Sequence, residues 1–140
     1  MGRVEGFTLL ELLAGMAMVL TTVGIGSTTL GGVVGSVRLA GAAERLASAL
    51  RTARSEALAR GRRIEVRFDP PRSTWSVRED HGPLLGVMRL PPGVTFASVP
   101  RTLRLRFTTV GAADNGTIVL TAGTRTRRVI VNQRGRVRVL

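Results

Sequence analysis

Cysteine is absent from this 140-residue chain, and histidine occurs once, as His81. Without cysteine the chain can form neither a disulfide framework nor a thiolate metal site. A lone histidine that follows Glu79 and Asp80 is typical of a solvated turn, because the usual transition-metal sites need further histidine or cysteine ligands. We therefore expect no metal site and no cofactor.

Candidate catalytic groups are also scarce. Ser48, Ser55 and Ser73 have no evident general base, and no glycine-rich phosphate loop follows a strand pattern. The chain has one tryptophan, four phenylalanines and no tyrosine, which argues against base stacking on single-stranded nucleic acid. These absences predict that the protein is not an enzyme.

Acidic residues are few, since nine of them stand against 21 basic residues, all arginine, for a net charge of +12. Without Arg3, Glu5 and Glu11, the remainder has 20 arginines and seven acids, a net charge of +13. A domain this basic favours an anionic partner, which could be nucleic acid, lipid headgroups or an acidic neighbouring protein.

One long apolar run is present, from Phe7 to Val37, and Glu11 is its only charged residue. The run exceeds the roughly 20 residues that span a bilayer as a helix, so we predict a transmembrane helix over 7–37. A carboxylate inside such a helix costs roughly 2.5 to 3.5 kcal/mol at the bilayer centre, which calls for a partner such as an amine. A secretory signal peptide would have a shorter apolar core, and an ordinary membrane anchor would leave Glu11 unexplained.

The pattern changes twice after this run. Apolar residues recur at helical spacing over 38–60, and Gly61 is a natural C-terminal cap. Alternation with a period of two then predicts an antiparallel β domain of six or seven short strands over 62–140. The expected fold class is α+β, with the outer half of a long N-terminal helix packed on the β domain. The stripe expected to make that contact consists of Leu39, Leu46, Leu50, Ala53 and Ala57.

The start of the chain resembles the class III signal of type IV pilins and of type II secretion pseudopilins, through Gly6, Phe7 and Glu11. The resemblance implies that the prepilin peptidase cuts between Gly6 and Phe7, removes a leader of residues 1–6 and methylates Phe7. It also implies that Glu11 pairs with the α-amine of Phe7, on the same or a neighbouring subunit, during filament assembly.

Four later blocks of the chain are informative: residues 53–60 with 64–66, residues 90–94, residues 105–107 with Gly111, and residues 129–139. These blocks resemble the GspH/FimT family of minor pseudopilins, and the resemblance spans nearly the whole chain. It implies a type IV pilin-like fold for residues 38–140. It further implies a single-pass protein of the bacterial inner membrane, with a short cytoplasmic N-terminus and a periplasmic domain, which joins other pilin subunits in a filament or its tip and supports protein secretion.

Arginine dominates the C-terminal segment, with nine arginines and one acid from Arg101 to Leu140. Residues 135–138 match the Gly-Arg-x-Arg motif with which FimT-like minor pilins bind incoming DNA in natural transformation. The same ending occurs in members assigned to secretion, so DNA uptake stays an alternative to a purely structural subunit. Candidate contacts to duplex DNA are Arg125, Arg127, Arg128, Arg134, Gly135, Arg136 and Arg138.

Overall fold

A computed structural model describes residues 8–140, apart from the side chains of residues 20–31. The predicted leader, residues 1–6, and Phe7 lie outside the described residues. The chain divides into two compact units, Met1–Val34 and Gly35–Leu140. Helix α1 runs from Leu9 to Arg60 and contributes to both units.

In the first unit, Thr8 caps the start of the helix. The Glu11 amide donates to the Thr8 carbonyl oxygen at 3.0 Å and lies 3.4 Å from the Thr8 hydroxyl oxygen. Thr8 and Glu11 thus occupy the two positions of a capping box, which also places the carboxylate in the first turn, where the helix dipole favours an anion.

Large apolar side chains along the described part of this unit are exposed. Leu9 and Leu10 are both 80% exposed. Their apolar neighbours along the first three turns are also exposed: Leu12, Leu13, Met16, Met18 and Val19. Among the residues searched, which exclude those left undescribed, no helical segment combines the length and apolarity needed to cross a membrane. The predicted span over 7–37 lies partly outside the described residues.

In the second unit, the helix is amphipathic and buries one stripe. The five residues predicted for this stripe are all buried, and Ala42, Ala43 and Ala47 extend it. Small side chains at these positions allow the helix to lie close to the strands. The helix ends as predicted at Arg60, and Gly61 follows with a φ of +60°, the left-handed conformation of a helix C-cap.

Eight strands follow the helix, so the prediction of six or seven was too low. The difference arises because several segments bounded by proline and glycine are strands of only three or four residues, too short for alternation alone to count reliably. The strands are β1 (Ile64–Asp69), β2 (Thr74–Glu79), β3 (Leu84–Arg89), β4 (Thr95–Ser98), β5 (Arg104–Phe107), β6 (Gly116–Ala122), β7 (Arg125–Val131) and β8 (Val137–Val139).

The strands form two antiparallel sheets of four. The first sheet has the order β3-β2-β1-β5, and the second has the order β4-β6-β7-β8. The apolar faces of both sheets and the helix stripe share one core. The outer part of the helix, from Leu39 to Ala57, thus shares its core with an antiparallel β domain, and the α+β class agrees with the expectation. Among the largest fully buried side chains of this core are Leu46, Leu50, Ile64, Leu105, Phe107, Ile118 and Leu120.

Candidate functional site

The β7–β8 hairpin carries the predicted Gly-Arg-x-Arg motif. The Asn132 amide donates to the Arg136 carbonyl oxygen at 3.1 Å, and the Gly135 amide donates to the Asn132 carbonyl oxygen at 2.8 Å. Three residues, 133–135, therefore lie between Asn132 and Arg136, and Gly135 takes a φ of +71°. This is the three-residue hairpin loop in which a type I turn is followed by a left-handed residue, a position that favours glycine.

A second loop of the same kind lies between β5 and β6. The Thr108 amide donates to the Ala112 carbonyl oxygen at 2.8 Å, the Gly111 amide donates to the Thr108 carbonyl oxygen at 3.0 Å, and Gly111 has a φ of +78°. The two loops are joined by a hydrogen bond of 3.0 Å from the Ala113 amide to the Gln133 carbonyl oxygen. The hairpin is thereby attached to the loop that leaves the first sheet.

Arg54 of the helix completes this contact, and we call Arg54, Gly111 and Gly135 the glycine junction. The Arg54 Nε–H donates to the Gly111 carbonyl oxygen at 3.0 Å. A β carbon added to Gly135 would overlap that same carbonyl oxygen and would lie 2.7 Å from Arg54 Nε. Glycine is thus required at position 135 by both conformation and packing, which gives this residue of the motif a structural role.

The arginines of the motif are placed differently from its glycine. Arg138 pairs with Ile130 across the hairpin, and Arg128 exchanges backbone hydrogen bonds with Leu140, so these arginines lie on the outer face of the second sheet. Arg136 precedes Arg138 by two residues and lies on the same side. All three are exposed, and we call them the C-terminal arginine face.

The predicted DNA-binding set is therefore only partly brought together. Arg125 and Arg127 alternate onto the opposite face of β7, and Arg134 lies at the tip of the hairpin loop; all three are exposed. Within the described part of the chain, no salt bridge joins an arginine of the C-terminal arginine face to a carboxylate. Guanidinium groups arranged in this way can donate bidentate hydrogen bonds to phosphates.

Several arginines on and beside the first sheet are paired with acids, a feature that the sequence analysis missed. Glu65, placed by alternation on the polar face of β1, is only 2% exposed and forms salt bridges with Arg67 and with Arg104, the latter at 3.6 Å. Glu79 is 7% exposed and accepts from Arg60 at 3.2 Å and from Arg62 at 3.1 Å. The sequence did contain a signal for these salt bridges, because arginines outnumber the acids in the segment 60–79, which contains both Glu65 and Glu79.

Two arginines, Arg60 and Arg106, have a raised pKa because they donate hydrogen bonds to acids. Hydrogen bonding to Glu79, and then to Glu56, raises the pKa of Arg60. Hydrogen bonding to Asp114, at 3.1 Å from Arg106 Nε, raises the pKa of Arg106. A raised pKa means that the stabilisation is complete below the unfolded pKa and is lost only as the pH rises through the folded pKa, far above physiological pH. These pairs therefore remain intact at physiological pH.

A groove of about 640 Å³ lies between the helix and strand β3. Its floor is mainly apolar and includes Trp75, Val77 and Met88, while Arg45 and Arg89 lie among its polar lining residues. Ser48, Thr52 and Glu56 are also among its polar lining residues.

One family model and several solved structures are similar to this chain. The model of the family described as type II transport protein GspH matches residues 42–135. No curated protein matches the chain.

Among solved structures, the minor pseudopilin EpsH from the type 2 secretion system of Vibrio cholerae is similar over 74% of this chain and 96% of its own, with 18% identity and a TM-score of 0.62. The type IV minor pilin FimU of Pseudomonas aeruginosa strain PAO1 is similar over 73% of this chain and 87% of its own, with 23% identity and a TM-score of 0.62. Both likenesses show that the fold is shared.

Proposed function

Because the chain belongs to the GspH family of type II transport proteins, a family of minor pseudopilins and pilins, we propose that it is made as a membrane-inserted precursor, cut between Gly6 and Phe7 and assembled through its N-terminal helix into a filament that serves protein secretion. Members of this family are structural subunits that assemble with other pilin subunits. The force for secretion would then come from a motor elsewhere in the machine.

The exposed apolar surface of the first three turns of α1 is the observation that carries this proposal. Seven large apolar side chains between Leu9 and Val19 are more than half exposed. Transferring them out of water is worth on the order of 10 kcal/mol, which lipid and neighbouring helices could both supply. The capped start at Thr8 and the carboxylate of Glu11 lie immediately after the Gly6–Phe7 bond. This order of residues fits a helix that is cut by the peptidase just before it begins. The cut leaves a positively charged N-terminal amine close to Glu11, and the helix then packs against helices of other subunits.

Mass spectrometry of the protein recovered from native membranes tests the processing step. We expect a mature chain that begins with methylated Phe7. Gly6→Val should leave an uncut precursor, because a bulky side chain replaces the residue that precedes the cut. Gly2→Val, within the same leader, is the control and should be processed normally. A wild-type chain that retains Met1 would overturn the proposal.

The substitution Glu11→Gln tests assembly separately from processing. It keeps the shape of the side chain and removes its charge. We expect normal processing but loss of crosslinks to other pilin subunits, because the new α-amine no longer has an acidic partner. Secretion of the exported proteins should fall in parallel in a strain that carries only this variant. Unchanged crosslinking and secretion would contradict a role of Glu11 in assembly.

Binding of duplex DNA is the second candidate function, and the acid-free C-terminal arginine face favours it. The full-length protein in neutral detergent should bind duplex DNA with an affinity that falls steeply with salt. Each phosphate that an arginine neutralises contributes about 0.9 to the slope of log affinity against log salt. Arg136→Ala with Arg138→Ala should therefore lower the slope by about 2. Arg89→Ala with Arg101→Ala removes the same charge elsewhere and should change the slope less. Absence of binding at low salt would exclude this function and leave the secretion proposal intact.

A further inference from the structure

The outer face of the first sheet contains a recess of about 340 Å³ that is crowded with arginine. Strands β1, β2 and β5 supply its walls, and the turn after β2 closes one side. We call it the arginine pocket. Its lining residues are Arg63, Glu65, Arg67, Arg78, Asp80, His81, Arg104 and Arg106.

Strand register places like charges directly opposite one another in this pocket. Arg67 is the Cα partner of Arg104, and Glu65 lies between Arg78 on one neighbouring strand and Arg106 on the other. Like charges in directly opposite positions destabilise a sheet unless other charges compensate them. The sheet therefore needs negative charge at this face.

The acids of the chain supply only part of that charge. Glu65 forms salt bridges with Arg67 and Arg104, and Asp114 pairs with Arg106. Five arginines stand against Glu65, Asp80 and Asp114, which leaves two positive charges uncompensated when His81 is neutral. In the described part of the chain, Arg63 and Arg78 are the lining arginines that no salt bridge engages.

Arg78, which lines this pocket, also carries an unsatisfied hydrogen-bond donor. Its Nε atom is buried and has no hydrogen-bond partner among the described residues. A buried donor without an acceptor costs roughly 1–3 kcal/mol, and more when it is charged. Native structures satisfy nearly all such groups with protein atoms, water or a bound ion. A water molecule could accept this hydrogen bond, but it would leave the surplus charge uncompensated.

We infer that the arginine pocket binds a phosphate group, with Arg63 and Arg78 as its principal donors. A phosphate monoester carries a charge of about −1.5 to −2 at neutral pH, which matches the two uncompensated guanidinium groups. Its oxygens accept the paired hydrogen bonds that guanidinium donates, whereas a single carboxylate would supply only one negative charge. The pocket is separate from the C-terminal arginine face and does not depend on the proposed role in secretion.

Titration of the full-length protein in nonionic detergent with inorganic phosphate tests this inference. Ionic strength is held constant with sodium chloride. In the wild type, Arg63→Gln and Arg89→Gln, the side-chain Nε–H resonance of Arg78 is followed by NMR. Arg78→Gln lacks this resonance, so its phosphate binding is measured by calorimetry. We expect a saturable shift. Arg78→Gln and Arg63→Gln should each weaken binding by about tenfold or more, the loss expected for a charge-assisted hydrogen bond. Arg63 is exposed, so its variant reports on binding even if Arg78→Gln fails to fold.

Arg89→Gln is the matched control, because it removes one exposed arginine from β3 of the same sheet. Its phosphate affinity should equal that of the wild type. A shift that does not saturate, or an equal loss in Arg89→Gln, would overturn the inference in favour of a diffuse ion atmosphere. Equal binding of glutarate would overturn it in favour of an acidic protein partner.

The source of the phosphate is distinguished by a second arm. Phosphatidylglycerol is added to the micelles before the titration. Competition with inorganic phosphate would identify a lipid headgroup as the occupant, and its absence would identify a soluble phosphate compound. In either case Arg63→Gln must weaken phosphate binding as stated above. Phosphate binding of unchanged affinity in that variant would place the phosphate elsewhere and contradict the inference.

Discussion

The outer faces of the two sheets differ in whether buried acids pair with their arginines. On the first sheet, Glu65 is buried among arginines and joins two of them, and Glu79 at the end of β2 holds two more. On the second sheet, the C-terminal arginine face has no acid in salt-bridge contact within the described residues. A net charge read from the sequence does not separate these two cases.

The difference indicates which charges serve the fold and which are available to a partner. An arginine that is paired with a buried carboxylate is committed to the fold, because breaking the pair would leave that carboxylate unpaired inside the protein. An exposed arginine without an acid contributes little to folding and keeps its hydrogen-bonding capacity. The Gly-Arg-x-Arg motif divides along the same line, since its glycine belongs to the glycine junction and its arginines to the C-terminal arginine face.

The largest expected effect comes from breaking the glycine junction with Gly135→Ala. The left-handed conformation costs roughly 1–2 kcal/mol for alanine, and overlap with the Gly111 carbonyl oxygen adds about 1–3 kcal/mol. We therefore expect the free energy of unfolding to fall by about 3 kcal/mol, measured by urea denaturation of the full-length protein in detergent.

Gly123→Ala is the matched control for conformation alone. Gly123 has a φ of +60° in the β6–β7 turn, and an added β carbon there would meet no atom within 4 Å. Its substitution should cost only the roughly 1–2 kcal/mol of the left-handed conformation. If both variants lose the same stability, close packing does not explain the glycine of the motif.

Elements with a strong period were predictable from the sequence. The stripe from Leu39 to Ala57 was predicted because several turns of helix repeat the same apolar spacing, and the cap at Gly61 follows from a residue type that accepts a positive φ. The strand number was wrong because three- and four-residue strands contain too few alternations. The pairing of strands into two sheets depends on contacts distant in sequence, which no local pattern encodes.

A second test of the comparison is Glu65→Gln, which removes the negative charge from the centre of the first sheet's arginines. Breaking a buried pair typically costs about 3–5 kcal/mol, but Arg67 and Arg104 keep about half of their side chains in solvent, which weakens the effect. We expect a loss of about 2 kcal/mol in the free energy of unfolding. Glu44→Gln is the control, because Glu44 is 64% exposed and its salt bridge to Arg51 is 3.9 Å long.

Equal stability of Glu65→Gln and Glu44→Gln would mean that the first sheet tolerates its arginines without an internal acid. The distinction between committed and available arginines would then fail. Added phosphate should restore part of the missing stability, because the arginine pocket would bind an anion more tightly once Glu65 is neutral. That restoration should be absent in Glu44→Gln.

The candidate site was only partly predictable for a related physical reason. The motif with its glycine is visible in the sequence, whereas the pairing of β7 with β8 is seen only in the structure. Alternation places side chains on a face, but it does not reveal whether that face carries acids from other strands. Glu65 lies beside arginines of β2 and β5 only after the sheet has formed, so its burial required the three-dimensional pairing.

The smallest effect on stability is expected for Arg136→Ala combined with Arg138→Ala. Both side chains are exposed and form no salt bridge with described residues, while the half-buried Val137 and Val139 keep β8 packed on the core. The free energy of unfolding should change by less than about 0.5 kcal/mol. Arg54→Ala, which removes the hydrogen bond to Gly111, should instead cost about 1 kcal/mol and serves as the structural contrast. A destabilisation by the double variant as large as that from Arg54→Ala would show that these arginines contribute to the fold, as Arg67 and Arg104 do through Glu65. It would remove the argument that they are available to bind DNA.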